Sequence, residues 1–345
     1  MKVNSQHDHA ITDSADIRLL IVGNSSHSHL GGYLYESAQD IGIDVKIADT
    51  KLAFGSRYIQ AVYWRYFDRL PSQIAQYERK LLAQIQYLQP THLLATGLAP
   101  IRKPILQYLQ QLGIKTLNYL TDDPWNPVHW SSWFQQALSL YDCVYTPRRS
   151  NIDDLINHGV PRVNYLPFAY TKNHVCKRTR QNNPPIDIIF VGGADPDRIP
   201  IITALINAGF SVLLVGGYWN RIRRTSSVAL GFRTCQEILQ LSLQAKITLI
   251  LPRHANRDGH VMRSYEAAAS ANCLLVEWTE EHEQIYGPDE KCVAYFKSLE
   301  SMITVVRRLI ESPDCRNRLG LAVQEHITRG HNTYKDRLRT ILGIS

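Results

Sequence analysis

The chain has 345 residues, a hydrophobic fraction of 44%, a charged fraction of 20% and a formal charge of +7. That length exceeds one ordinary core and fits two domains of about 150 residues each, and the composition excludes an intrinsically disordered chain. No apolar run approaches the roughly 20 residues that a membrane-spanning helix needs.

Residues 1–16 are polar, with His and Asp where a signal peptide would be apolar, and read as a flexible tail on a cytoplasmic protein. The six cysteines (Cys143, Cys176, Cys235, Cys273, Cys292, Cys315) include no Cys-x-x-Cys pair, which suits a reducing compartment and argues against a zinc knuckle. A basic balance can serve nucleic acid, an anionic membrane face or an anionic small substrate. Outside Arg221, Arg223, Arg224 and the C-terminal segment the cations are dispersed, so no nucleic-acid partner is expected. Peripheral contact with a membrane surface stays open, and an anionic small substrate fits. Oligomeric state is not readable.

In chain order, Ile17–Val22 is an apolar run that ends in a small-residue loop, the pattern of a buried parallel strand. A helix over 33–41 and a strand over 44–48 follow. Next come helix 73–88, strand 92–96, helix 103–112, strand 115–120 and the loop Thr121-Asp-Asp-Pro-Trp125. Helix 132–139, strand 143–146, helix 150–158 and strand 163–166 close the first half. The segment 177–185 ends Gln-Asn-Asn-Pro-Pro and reads as a linker. A second alternating series starts with strand 186–191 and the loop Gly192-Gly193, then helix 199–208, strand 211–215 and the loop Gly216-Gly217. Helix 234–245, strand 247–251, helix 261–270 and strand 273–277 complete it, and 299–342 is mostly helical. Such alternation predicts two Rossmann-like doubly wound α/β domains facing a cleft, with ligands at the carboxyl ends of the strands. The expected division is an N-terminal domain over 17–176, a C-terminal domain over 186–320, and a C-terminal helix over 321–345 that can cross back to the first domain.

The densest chemical signal is Arg253-His-Ala-Asn-Arg-Asp-Gly-His-Val-Met-Arg-Ser-Tyr-Glu266, a glycine-bearing loop running into an Ala-rich helix. Amides at a helix N-terminus near Gly259 make an anion site, and Arg253 or Arg263 can add charge-assisted bonds to phosphate. Glu266 precedes three alanines, and a carboxylate on so closely packing a helix needs a partner. The two hydroxyls of a ribose would serve, since an ionised carboxylate accepts from both; the plain alternative is an exposed helical Glu beside an Arg. Asp122 and Asp123 are candidates for the base that deprotonates an acceptor hydroxyl, against the plain reading of Asp-Pro turn chemistry. His27 and His29 follow the first loop, and Trp125, Trp130 and Trp133 read either as a sugar-stacking platform or as core. No spaced-glycine dinucleotide fingerprint, phosphate-binding Gly-Lys-Ser/Thr loop or Gly-x-Ser-x-Gly elbow occurs.

These residues resemble the CgeB-like (spore maturation protein) glycosyltransferases, relatives of glycosyltransferase group 1 with the glycosyltransferase-B fold. The family's Glu, seven residues, Glu is matched by Asp258 and Glu266. Phe190-Val-Gly-Gly193 with Arg198, Val215-Gly-Gly-Tyr-Trp219 with its Gly217, and His331-Asn-Thr-Tyr334 with Arg337 are similar to further motifs, and Tyr119–Pro124 matches more loosely. The resemblance implies a soluble transferase using a UDP-, GDP- or TDP-linked sugar, with no cofactor and no obligatory metal. It implies that Glu266 holds the donor ribose, that Asp258 and His260 lie at the sugar, that Gly217 lies near the nucleotide base or the diphosphate, and that Gly192, Gly193, Arg198, Arg253, Gly259 and Arg263 surround the diphosphate. Two departures stand out: Asp258 is one methylene shorter than the family's Glu, and a Gly near Ala271-Asn272 is missing. The alternatives are a nucleotide-sugar 2-epimerase of the same fold and a non-catalytic nucleotide- or sugar-binding protein.

Overall fold

The computed structural model describes residues 16–175 and 184–344. The tail over 1–15, Cys176 and residues 177–183 of the expected linker lie outside the described residues. The chain divides into two compact units. Unit 1 is Met1–Thr146, Asn151–Leu166 and Tyr334–Ser345; unit 2 is Pro147–Ser150 and Pro167–Thr333. Residues 167–175 therefore belong to unit 2, and the return to unit 1 begins at Tyr334.

Unit 1 alternates strand and helix: β1 (Arg18–Gly23), α1 (Leu30–Asp40), β2 (Asp44–Asp49), α2 (Arg57–Tyr66), α3 (Ile74–Leu88), β3 (His92–Thr96), α4 (Lys103–Gln111) and β4 (Lys115–Tyr119). α5 (Ser132–Leu138), β5 (Cys143–Thr146), α6 (Ile152–Asn157) and β6 (Val163–Tyr165) complete the run. All pairings are parallel, in the order β2-β1-β3-β4-β5-β6. Helices cover both faces of such a sheet, so its strands read as unbroken apolar runs; after Arg18 every residue of β1 is buried. The core joins Leu20, Val22, Leu93 and Ala95 of the strands to Leu81, Leu106 and Phe134 of the helices.

Unit 2 repeats the plan with β7 (Ile186–Val191), α7 (Arg198–Asn207), β8 (Val212–Val215), α8 (Cys235–Leu243), β9 (Ala245–Ile250), α9 (Met262–Ala269) and β10 (Leu274–Glu277). It continues through α10 (Glu280–Tyr286), β11 (Ala294–Phe296), α11 (Leu299–Glu311) and α12 (Pro313–Arg329). Five parallel strands run β11-β10-β9-β7-β8. Thr234 starts α8 as a reciprocal cap: its hydroxyl accepts from the Glu237 amide, and Glu237 accepts from the Thr234 amide at 2.7 Å.

α13 (Tyr334–Leu342) returns the chain to unit 1, where Tyr334 stacks on Tyr33 of α1 at 5.2 Å and Tyr145 donates to the Ile341 carbonyl. The Tyr334 and Arg337 signature thus serves the packing of the first unit. Sequence periodicity missed three elements. α2 has no buried residue and hence no apolar stripe to read, while α10 and β11 are seven and three residues long, too short for a period to show.

Candidate functional site

In each sheet the strand order reverses once, between β1 and β3 in unit 1 and between β7 and β9 in unit 2. Loops leaving such a switch point diverge and leave a crevice at the carboxyl ends of the strands, where doubly wound proteins bind ligands. Both units place the sequence candidates there.

In unit 1 an open pocket of about 290 Å³ is lined by Asn24 and His29 after β1, Thr96 at the end of β3, Gly97, and Thr121 and Asp122 after β4. Gly97 has φ +57°, and a Cβ there would lie 3.2 Å from Asp122 Oδ2 and Thr121 Oγ1, so glycine keeps this wall open. Among the described residues Asp122 makes no hydrogen bond or ion pair, leaving a carboxylate at the switch point free to accept. Asp123 differs and the catalytic reading is corrected: it is 1% exposed, and its Oδ1 accepts from the Trp125 amide at 3.0 Å and from the Asn151 side chain at 3.4 Å. It shapes the turn. Trp125 and Trp133 pack against the core, and only Trp130 stands exposed. His27 pairs with Glu36 on the surface.

In unit 2 the two glycine loops interlock. The Gly192 amide donates to Val215 O, Gly192 O accepts from Trp219 Nε1 (both 2.8 Å), and a Cβ on Gly216 (φ +136°) would run into Gly192 O. Gly216, outside the predicted set, is thus the glycine the close approach demands. A Cβ on Gly217 would meet the Phe232 ring at 2.9 Å, whereas one on Gly193 would meet nothing nearer than Gly217 O at 4.0 Å. Gly193 is the member of the set that borders open space.

The arginines are already paired. Arg198 is 6% exposed; it donates to Asp195 Oδ2 at 2.8 Å and to Leu251 O at 2.9 Å, tying the loop after β7 to the end of β9. Its predicted place on the diphosphate is corrected to that bracing role. Arg253 shares Asp195 Oδ2 at 3.0 Å with its side chain one-third exposed, so it is a cation that can turn to a ligand.

Asp258 forms a buried ion pair with Arg148 at 2.5 Å, side chains 4% and 3% exposed, and accepts from the Arg253 amide at 3.3 Å. His260 is 1% exposed, with Nδ1 2.7 Å from Glu281 Oε2 and Nε2 accepting from the Phe168 amide at 3.3 Å. Both ring nitrogens and the aspartate carboxylate are committed to the protein. The expectation that Asp258 and His260 touch the sugar is therefore corrected: they hold the loop in shape. Gly259 is corrected too. It lies three residues before α9, and a Cβ there would fall 2.6 Å from Glu281 Oε1, so its bareness admits Glu281 rather than a phosphate.

Glu266 is a buried carboxylate whose partners come from the protein itself. It sits one turn into α9, 3% exposed, and lines a cavity of about 30 Å³ with Arg263, Cys235, Ile238 and Leu239 of α8 and Thr248 of β9. Oε2 accepts from Arg263 of the preceding turn, and Oε1 is 3.5 Å from His174 Nε2. His174, which sequence gave no reason to single out, holds Nδ1 against the Thr171 amide at 3.1 Å and Nε2 3.2 Å from Cys235 Sγ. Burial pushes its pKa down, and the nearby Glu266 carboxylate opposes that. Among the described residues the Thr248 hydroxyl, buried at the floor of this cavity, has no hydrogen-bond partner. A space of this size holds about one water, so a ribose enters only as His174 or Arg263 swings off Glu266. Among the described residues no group of three or more His, Cys, Asp or Glu could hold a metal, and no helix is long and apolar enough to cross a membrane.

Behind this wall His282 is buried, Nδ1–H donating to Glu277 O and Nε2 accepting from the Ser264 hydroxyl, both at 2.9 Å. Burial pushes its pKa to about 3 from an ordinary 6.5. The fold therefore favours the neutral ring. Its contribution is complete above pH ~6.5 and is lost as pH falls from there toward ~3, at up to ~1.4 kcal/mol per pH unit. Urea midpoints for unit 2 should fall on acidification through this window, and His282→Gln should flatten that slope.

Residues 198–343 match the model of a family described as glycosyl transferase-like. In fold the chain is similar to sucrose-phosphate synthase from Thermosynechococcus elongatus (TM-score 0.65, 13% identity, covering 94% of this chain and 98% of that one). It is similar also to an alpha-glucosyltransferase in complex with UDP and a 13-mer DNA (0.66, 12%, 95% and 100%), and to T4 phage BGT in complex with UDP and Mn2+ (0.58, 15%, 95% and 100%). No curated protein matches the chain by sequence. The class is thereby defined: two Rossmann-like units in the glycosyltransferase-B fold. Within it, the part from Arg198 to Gly343 is similar to the glycosyl transferase-like family.

Proposed function

We propose that the protein moves a sugar from a nucleoside-diphosphate donor, bound in unit 2, to a hydroxyl-bearing acceptor bound in unit 1, and that it stands with the CgeB-like glycosyltransferases. The observation that carries the donor half is Glu266, a carboxylate buried in a cavity wall that also holds the Thr248 hydroxyl, which has no hydrogen-bond partner among the described residues. Glu266 accepts from the ribose hydroxyls once Arg263 swings away. Arg263 and Arg253 then face the diphosphate, whose negative charge grows as the bond from the anomeric carbon to the phosphate oxygen breaks. In an inverting transfer Asp122 takes the acceptor's hydroxyl proton as that oxygen attacks the anomeric carbon. The diphosphate is held by guanidinium and amide groups, without an obligatory metal.

The test runs in two stages. One of UDP, GDP or TDP should raise the thermal transition of unit 2, by about 2.7 kcal/mol of added stability at a hundredfold excess over Kd. The matching nucleotide sugar, with excess chelator, should then release nucleoside diphosphate only when an acceptor is supplied. Epimerisation of the donor sugar without acceptor would point to an epimerase. Binding with no turnover over a broad acceptor panel would point to a binding protein.

A further inference from the structure

A helix in a compact domain buries one stripe of its surface, yet no residue of α2 is buried. It is attached by few groups. The Gln60 side chain donates to Leu70 O at 3.3 Å and accepts from the Ser72 amide at 3.0 Å, and Tyr63 stacks on Phe67 at 4.7 Å. At 100° per residue Tyr58, Val62 and Tyr66 share one side of the helix, with Arg65 and Ile59 at its two margins, while Trp64 projects beside Gln60. Tyr58 is 86% and Tyr66 72% exposed. Of the eighteen large apolar side chains exposed among the described residues, eight fall within residues 52–67. Val128 and Trp130 extend the same patch, since Arg69 donates to the carbonyls of Pro127, Val128 and Trp130 at 2.7–3.0 Å. Clustering on this scale marks an interaction surface rather than ordinary scatter.

The charges on the helix itself have one sign, the nearest carboxylate being Asp68 beyond its C-terminus, which accepts from Ser132. α2 contains Arg57 and Arg65 and no acidic residue, and Lys51 precedes it. Aliphatic and aromatic side chains on one side of a short helix, with arginines and no carboxylates, is the make-up of a helix that lies in a lipid headgroup region. We propose that α2 and the turn before it dock on an anionic bilayer surface, with Tyr58, Val62 and Tyr66 entering the boundary between headgroups and acyl chains and Arg57 and Arg65 meeting lipid phosphates. A second copy of this helix fits worse, because pairing α2 with itself brings arginine against arginine with no carboxylate on the helix to answer. Single-stranded nucleic acid would use the aromatics and arginines but gives Leu52, Ile59 and Val62 nothing to do.

The full chain should co-sediment with vesicles of equimolar phosphatidylcholine and phosphatidylglycerol, bind vesicles of phosphatidylcholine alone at least tenfold less, and be released by salt. Arg57→Glu and Arg65→Glu should each weaken binding about fivefold or more, and Val62→Asp should abolish it. Because these side chains are exposed or half-exposed, the variants should keep the wild-type thermal transition and nucleotide-induced shift, which separates loss of docking from loss of fold or of donor binding. The proposal fails if the wild-type chain ignores the anionic vesicles, or if Val62→Asp sediments as well as wild type. It also fails if light scattering shows a dimer that Val62→Asp dissolves.

Discussion

Asp258→Ala should lower the stability of unit 2 by about 3–5 kcal/mol, because it strands the Arg148 guanidinium in a site where both partners are almost fully covered. In a unit of this size each kcal/mol moves the melting point by about 2–4 °C, so a fall of about 10 °C is expected. The control is the double replacement Arg148→Met, Asp258→Leu. Removing both charges at once leaves no orphan and should recover most of the loss. A single variant within about 1 kcal/mol of wild type would mean that the pair is open to solvent and that Asp258 is free for a ligand after all.

Asp122→Asn should reduce acceptor-dependent transfer by about 10²–10⁴-fold, the usual worth of a positioned general base, while the nucleoside diphosphate binds as to wild type. The split matters, because Asp122 lies in the unit 1 pocket and Glu266 in the unit 2 cavity. A variant with full transfer activity would remove Asp122 from the chemistry and favour a retaining reaction without a protein base. A variant that also loses nucleotide binding would show that the carboxylate acts on the fold.

The alternation of buried strands and helices was legible because a parallel sheet covered on both faces writes itself as short apolar runs between helical periods. The placement of Asp122 and Glu266 was legible for related reasons, one following a strand and the other lying on an alanine-rich helix. What failed was the partnering of side chains. Asp258, Gly259 and His260 sit in a loop that reads as ligand-facing, but their partners Arg148, Glu281 and the Phe168 amide come from distant parts of unit 2, and no local spacing announces them. Arg198 was misread because the Leu251 carbonyl, which holds it beside Asp195, comes from the far end of β9. Gly216 was passed over because adjacent glycines look alike until the backbone shows which one meets another chain segment. His174 carries no pattern at all and matters only because its turn packs on α8 and α9.

The central claim is that the Glu266 carboxylate grips the sugar ring of a nucleotide. Its most direct test is a calorimetric comparison of the preferred nucleoside diphosphate with its 2′- and 3′-deoxy analogues, on wild type and on Glu266→Ala. Hydrogen bonds to a charged group contribute about 1.5–3 kcal/mol each. Wild type should therefore bind at least one deoxy analogue about ten- to a hundredfold more weakly, and Glu266→Ala should bind all three ligands alike. Equal discrimination by both proteins, or none by the wild type, would contradict the account.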